Sequence, residues 1–197
     1  RGAPVFSVGC GRLGQVGGSL MLGQGIPATV LDHDGEMIEA ARSFGYKVFY
    51  GDAARLDLLR TAGAQHARIL VVAVDNPEQS IAIVDLAREH FPHLELVVRA
   101  RDVTHWNQLR DRGVLRVERE MFESSLRSAR SVLEALGQTP HEARQHAMRF
   151  RRHNLELFEQ MYPHHKDRNK LIAVVKQGRE QLEAQMAQER AERDARL

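Results

Sequence analysis

Residues 5–14 read VFSVGCGRLG and residues 28–34 read ATVLDHD, and the way these two stretches are joined decides the fold. Apolar Val5, Phe6 and Val8 lead into Gly9-Cys10-Gly11-Arg12-Leu13-Gly14, a G-x-G-x-x-G. A helical pattern follows, and a second apolar run ends at Asp32. Strand, glycine turn, helix, strand and acid thus come in the order of a dinucleotide-binding unit. Gly9 permits the tight turn, Gly11 lets the backbone approach a phosphate, and Gly14 lets the helix lie close to the strand. The helix N-terminus offers that phosphate unpaired N–H groups and a partial positive charge. Asp32, eighteen positions after Gly14, is placed to accept hydrogen bonds from both ribose hydroxyls. It would repel a 2′-phosphate, because no Arg or Lys follows until Arg42. The motif therefore reads as a nucleotide site rather than as a purely structural glycine turn.

Outward from this unit, apolar runs and helical patterns alternate through residue 117. Strands are expected at 4–8, 28–31, 47–50, 68–74, 94–99 and 114–117, and helices at 13–23, 35–44, 55–62, 77–90 and 103–112. Continuous apolar strands separated by helices predict an α/β fold, a doubly wound, Rossmann-like parallel sheet covered on both faces. Ligands in such sheets bind beyond the carboxyl ends of the strands. Those ends carry the glycine loop, Asp32-His33-Asp34, Gly51-Asp52-Ala53, Asp75-Asn76 and Arg101-Asp102, which all point to one rim. Each alone is ordinary turn chemistry; their coincidence at strand ends is not.

From Arg119 the alternation stops and the remainder reads as helix. Phe122, Leu126, Ala129, Val132, Leu133 and Leu136 form an apolar stripe that Gly137 closes. Thr139-Pro140-His141-Glu142 is a capping box that starts a second helix, and a third is expected from about Asp167. A complete sheet does not need three more amphipathic helices for its core. The expected organisation is therefore a nucleotide-binding domain over 1–118, a dimer-crossing helix over 119–137 and a small helical subdomain over 138–197.

Composition narrows the classes. The chain carries 28 basic and 26 acidic side chains, a net charge of +2, so it lacks the basicity of a nucleic-acid binder. The arginines Arg149, Arg151 and Arg152 have no aromatic platform beside them and read as a solvated face or an anion pocket. One cysteine excludes an internal disulfide and points to a reducing compartment. Cys10, between two glycines, reads as a space-filler rather than a redox switch. The longest apolar stretch, residues 69–74, is far short of the ~18 residues of a membrane helix. No signal peptide is visible, and a start at Arg1 just before a strand suggests a piece of a longer protein. Histidines 141, 146, 153, 164 and 165 show none of the spacings of a zinc site, so no metal is expected.

Seven segments carry a family resemblance: GCGRLGQ (9–15), LDHD (31–34), FGYKVFYGDA (44–53), EHFPHL (89–94), RARDV (99–103), ERE-x-F-E (118–123) and FRRHN (150–154). In this order they resemble the cytosolic RCK (KTN) nucleotide-binding domain of Kef-type glutathione-gated potassium-efflux systems. The resemblance runs from about residue 4 to about 160. It implies a regulatory domain rather than an enzyme, dimerised through its crossing helix and binding AMP or NAD(H). It also implies attachment to a transmembrane antiporter-like transport domain of the bacterial inner membrane. There, glutathione holds the system closed, its electrophile adducts open it, and a quinone-reductase-like ancillary subunit often binds.

On this resemblance the nucleotide pocket comprises Gly9, Gly11, Arg12, Leu13, Gly14, Asp32, His33, Asp34, Asp52 and Ala53, with Arg12 over the phosphate. Phe44, Asp102, Arg119 and Asn154 align with positions that hold the tripeptide or sense its adduct. One position departs. Seven residues after Arg12, where the family places a second arginine on glutathione, this chain has Ser19. Losing a charge-assisted hydrogen bond weakens binding by ~1.5–3 kcal/mol. A nucleotide-binding RCK domain tuned to another signal is therefore the alternative within the family. The alternative outside it is an NAD-dependent dehydrogenase, for which Tyr162-Pro163-His164-His165-Lys166 spells Y-x-x-x-K. Pro163 argues against the continuous helix that this pair requires.

Overall fold

The apolar runs become six short strands of one sheet in which every neighbouring pair is parallel. This computed structural model describes residues 2–195, apart from the side chains of residues 12–15. The chain divides into two compact units, Arg1–Glu120 and Met121–Leu197.

The first unit alternates β1 (Val5–Val8), α1 (Arg12–Gly23), β2 (Ala28–Asp32), α2 (Gly35–Ser43), β3 (Lys47–Tyr50) and α3 (Leu56–Thr61). It continues with β4 (Ile69–Val72), α4 (Pro77–His90), β5 (Glu95–Ala100), α5 (Val103–Asp111) and β6 (Arg116–Arg119). The strand order is β3-β2-β1-β4-β5-β6, the expected doubly wound sheet. All of β1 and β2 is buried, which is why their sequences are mostly apolar instead of alternating, with Ser7, Thr29 and Asp32 the buried polar residues. Helix α2 packs on β2 and β3, α4 on β4 and β5, and α5 on β5 and β6. The core between them is filled by Leu31, Leu59, Leu70, Ile83, Val84, Val98, Leu109 and Val114. Full burial of each such side chain stabilises the fold by roughly 1.5–3 kcal/mol.

Three helices of this unit start at side-chain caps. Asp34 accepts from the Glu36 N–H (2.8 Å), Asn76 from that of Gln79 (2.8 Å) and Asp102 from that of His105 (2.8 Å). Helix α1 differs: its N-cap is Gly11, with no side-chain cap and no acidic residue in the first turn. Farther along α1, the Tyr46 hydroxyl donates to the Gly18 carbonyl and ties the helix to the start of β3.

Two strands depart most from the sequence reading: β4, expected at 68–74, spans only Ile69–Val72, and β6 is shifted. The last strand was expected at 114–117 and lies two residues later, over Arg116–Arg119. Gly113 (φ 72°) turns the chain back after α5, and the Val114 N–H still bonds the Leu109 carbonyl of that helix at 3.1 Å. Val114 thus fills the core as part of the turn, and pairing begins at Val97 with Arg116. The shift brings Arg119 to the carboxyl end of β6, opposite Ala100.

The second unit is three helices: α6 (Phe122–Ala135), α7 (Pro140–Met161) and α8 (Arg168–Asp194). Gly137 follows α6, and Thr139 and Glu142 form the expected reciprocal cap of α7. The Asp167 carboxylate accepts from the Lys170 N–H and starts α8. Helix α6 packs on α7 and α7 on α8. At the α7–α8 contact His153 Nε2 lies 3.1 Å from the Gly178 carbonyl, and a Cβ at Gly178 would stand 2.6 Å from Leu157 Cδ1. Buried side chains are few here, Leu126, Ala143 and Ala147 among the described residues, while Val132 and Leu136 on α6 are 57% and 78% exposed.

Candidate functional site

The sheet reverses direction at β1. The chain steps from β1 to β2 and β3 on one side, then crosses to β4 on the other, which opens a crevice beyond the carboxyl ends of β1 and β4. A cavity of about 400 Å³ lies there, lined among others by Gly9, Gly11, Asp32, His33, Asp34 and Ala53. The size is that of a small-molecule site.

Its floor is the glycine loop. Gly9 adopts φ 84°, and a Cβ on it would stand 2.9 Å from the Ala73 backbone, so both conformation and space require glycine. Its N–H bonds the Leu31 carbonyl at 2.9 Å, and the Val8 carbonyl accepts from the Ala73 N–H at 2.8 Å. The loop is thereby tied to β2 on one side and to the end of β4 on the other. Gly11 is the reverse case: a Cβ there would meet nothing within 4 Å. Open space above Gly11 and an uncapped start of α1 are what an anion at a helix N-terminus needs.

Asp32 forms the wall. Its carboxylate is almost wholly buried, Oδ2 accepting from the Cys10 N–H (2.7 Å) and Oδ1 from the Asp34 N–H (2.9 Å). The acid therefore fixes the glycine loop as well as facing the cavity, a second task that spacing alone did not disclose. A carboxylate offers about four lone-pair sites, more than these two bonds use. His33 is exposed, its Nδ1 3.7 Å from Asp32 Oδ1. The Cys10 thiol packs against Val30 and Ala41, and burial, then the Asp32 charge, pushes its pKa upward. It is a protonated core group, not a thiolate nucleophile.

The remaining residues sort clearly. Asp34 lines the cavity while capping α2. Ala53 is buried and forms an apolar wall with Leu31 and Met37. Asp52 turns into its own loop, Oδ1 accepting from the Ala54 N–H (2.9 Å) and from Gln79 Nε2 (3.4 Å). The side chains of Arg12, Leu13 and Gly14 lie outside the described residues. Met37, Gly51, Val74, Asp75, Asn76 and Gln79 complete the lining. The rim rule already marked Asp75 and Asn76, but only the fold shows that the first turn of α4 brings Gln79 beside them.

Of the four residues aligned with a tripeptide site, the three in the first unit lie at two different edges of its sheet. Phe44, 47% exposed, follows the end of α2 at the amino-terminal end of β3, one edge of the sheet. Arg119 ends β6 at the opposite edge, with Asp102 just beyond β5 capping α5. Five strand spacings separate those edges, about 24 Å, whereas an extended tripeptide spans about 10 Å. Asn154 belongs to the second unit, where its Oδ1 is buried without a hydrogen-bond partner. Ser19 is on the exposed side of α1.

The dehydrogenase pair does not form. Tyr162 opens a single tight turn after α7, its ring stacks on His165 at 5.3 Å, and Lys166 precedes α8, so the two share no helix face. Among the described residues no group of three or more His, Cys, Asp or Glu side chains could hold a metal ion, and no helix is long and apolar enough to cross a membrane.

Comparison with known proteins places this architecture. The TrkA-N domain family matches residues 6–119, and the family of the potassium efflux system KefB C-terminal domain matches residues 124–196. The likeness thus continues well beyond residue 160, where the sequence motifs give out. Glutathione-regulated potassium-efflux system protein KefC of Escherichia coli O139:H28 is 47% identical over 172 residues, 87% of this chain. The chain spans 28% of the length of that protein. The C-terminal domain of Kef from Shewanella denitrificans, solved in AMP-bound form, superposes with a TM-score of 0.75 at 38% identity, over 81% of this chain and 97% of that one. The GsuK channel bound to NAD superposes with a TM-score of 0.52 at 25% identity, over 58% of this chain and 20% of that one. By sheet order, glycine loop and matched length, the chain belongs to the TrkA-N (RCK) family, as a domain of the Kef potassium-efflux type.

Proposed function

We propose that this chain is the ligand-binding regulatory domain of a Kef-type potassium-efflux protein and that its cavity holds AMP or NAD(H). The observation that carries this is the pairing of the open, uncapped glycine loop at Gly11 with the oriented Asp32 carboxylate across one cavity. The residues fit the ligand. The start of α1 meets the phosphate, Asp32 takes the ribose hydroxyls, and Met37, Ala53 and Leu31 offer apolar surface. AMP in the Kef relative and NAD in GsuK support the same ligand class. Asp32 selects against a 2′-phosphate by repulsion. Titration calorimetry of the nucleotide-free chain tests this: AMP or NADH binds and NADPH does not, whereas absence of binding by any adenine nucleotide overturns the reading.

The domain acts by binding and not by catalysis, as the cytoplasmic part of an inner-membrane protein, and as a homodimer. The half-exposed apolar stripe of α6 and the small core of the second unit support dimerisation through that helix, since a second copy would cover Val132 and Leu136. A dimer also answers the separation of Phe44 from Asp102 and Arg119, because residues at opposite edges of one sheet can meet across two copies. Glutathione or its adducts would bind there. With Ser19 in place of an arginine, a second reading is the same domain responding to a different signal. Glutathione titrated into the nucleotide-loaded dimer decides: heat of binding supports the first, and its absence the second.

A further inference from the structure

The described lining of the nucleotide cavity carries three carboxylates, Asp32, Asp34 and Asp75, and no lysine or arginine. That is an unfavourable field for a phosphate-bearing ligand. Two of these acids are engaged by backbone N–H groups, Asp32 by Cys10 and Asp34, and Asp34 by Glu36. Asp75 is engaged differently. Arg99 Nη2, from the carboxyl end of β5, donates to its Oδ1, and Arg101 Nη1 lies 3.4 Å from its backbone carbonyl. The Arg99 side chain is only 9% exposed, while that of Asp75 is 91% exposed at the cavity rim. A buried guanidinium is thus anchored under an exposed wall carboxylate, and the neighbouring strand supplies positive charge to a wall whose described lining holds no lysine or arginine.

We propose that Arg99, acting through Asp75, sets the charge tolerance of the nucleotide cavity: it neutralises Asp75 so that a ligand carrying phosphate is admitted. Arg99 is a positioning and specificity residue here, and the inference rests on the nucleotide reading of the cavity. Without its guanidinium, Asp75 stands as an uncompensated negative charge beside the phosphate, and the penalty falls on AMP while adenosine, which has no phosphate, escapes it. Loss of general packing would weaken both ligands alike.

The test is calorimetric titration of adenosine and AMP at low ionic strength into the wild type, Arg99→Met, Arg99→Lys, Asp75→Asn and the double variant Arg99→Met/Asp75→Asn. Arg99→Met is expected to lose roughly tenfold more affinity for AMP than for adenosine. Arg99→Lys keeps the wild-type preference, and adding Asp75→Asn to Arg99→Met restores it. Asp75→Asn alone, at an exposed position, removes the repulsion, leaves the arginine charge and tightens AMP binding. Equal losses for the two ligands in Arg99→Met, failure of the double variant to recover, loss of preference in Arg99→Lys, or weaker AMP binding by Asp75→Asn each overturns the inference. A wild type that binds neither ligand overturns the nucleotide reading itself, and the inference with it.

Discussion

Replacing Asp32 by asparagine removes one carboxylate oxygen and the negative charge while keeping the side-chain shape. In the native chain, Oδ2 holds the Cys10 N–H at 2.7 Å and Oδ1 the Asp34 N–H at 2.9 Å. An amide has one oxygen, so one of these buried N–H groups loses its acceptor, and the NH2 that replaces it faces a donor. A hydrogen bond to a charged group is worth about 1.5–3 kcal/mol, so Asp32→Asn should lower stability by about that amount, read from urea unfolding of the nucleotide-free chain. The same change removes an acceptor for a ribose hydroxyl, and AMP affinity should fall by about one to two decades. A ligand-side control separates the two losses. In the wild type, 2′-deoxy-AMP or 3′-deoxy-AMP binds more weakly than AMP, because a hydroxyl that Asp32 accepts from is gone. In Asp32→Asn at least one of those deletions should cost almost nothing further, as the interaction is already broken. If both deletions cost the same in the variant as in the wild type, Asp32 does not contact the ribose and the assignment of the cavity is wrong.

Three further outcomes follow from the geometry. Gly9→Ala combines positive φ with a Cβ 2.9 Å from the Ala73 backbone and should cost more than about 2 kcal/mol in unfolding free energy; a change under ~0.5 kcal/mol would refute the described loop. His105 is buried, with Nδ1 accepting from the Arg101 N–H (3.1 Å) and Nε2 3.1 Å from the Ser80 hydroxyl, and burial first, with Arg99 adding, lowers its pKa below 6.5 against the opposing pull of Asp102 and Glu78. Protonation is then harder in the folded than in the unfolded chain, so its contribution is complete above pH 6.5 and lost as pH falls below it, with a limiting slope of about 1.4 kcal/mol per pH unit. Melting temperatures from pH 8 to 5 should show this decline and His105→Gln should flatten it; an unchanged slope counts against the assignment. Finally, Ser19→Arg should strengthen glutathione binding to the nucleotide-loaded dimer by about one to two decades, and an unchanged affinity would remove that position from the tripeptide site.

The sheet was legible because β1 and β2 are buried on both faces, and burial writes itself as predominantly apolar sequence. The cap of α7 was legible for a similar reason, since Thr139 and Glu142 are the residue types a helix start selects, whereas Asp34, Asn76 and Asp102 were read as rim residues and prove to be caps as well. The edge of β6 was not legible, because Val114 is apolar for the sake of the core and its N–H serves the preceding helix, so composition alone assigned it to the strand. In the site, Gly9, Gly11 and Asp32 followed from spacing, because a turn, a close approach and an acid are each tied to a residue type. Gln79 and Met37 were not singled out, since they reach the cavity only through the way α2 and α4 lie beside it. Asp52, which reads as a ligand group at a strand end, also closes its own turn through Oδ1, a task its position did not disclose. Phe44 and Arg119 were grouped by family alignment, which carries no information on their distance across the sheet of one copy.

The central claim is that the cavity between the glycine loop and Asp32 is the nucleotide site. A crystal structure of this chain grown with AMP tests it most directly. The phosphate is expected over Gly11 at the start of α1, with at least one ribose hydroxyl donating to Asp32. AMP bound elsewhere on the chain, or a crevice without AMP under conditions where titration shows saturation, would contradict it.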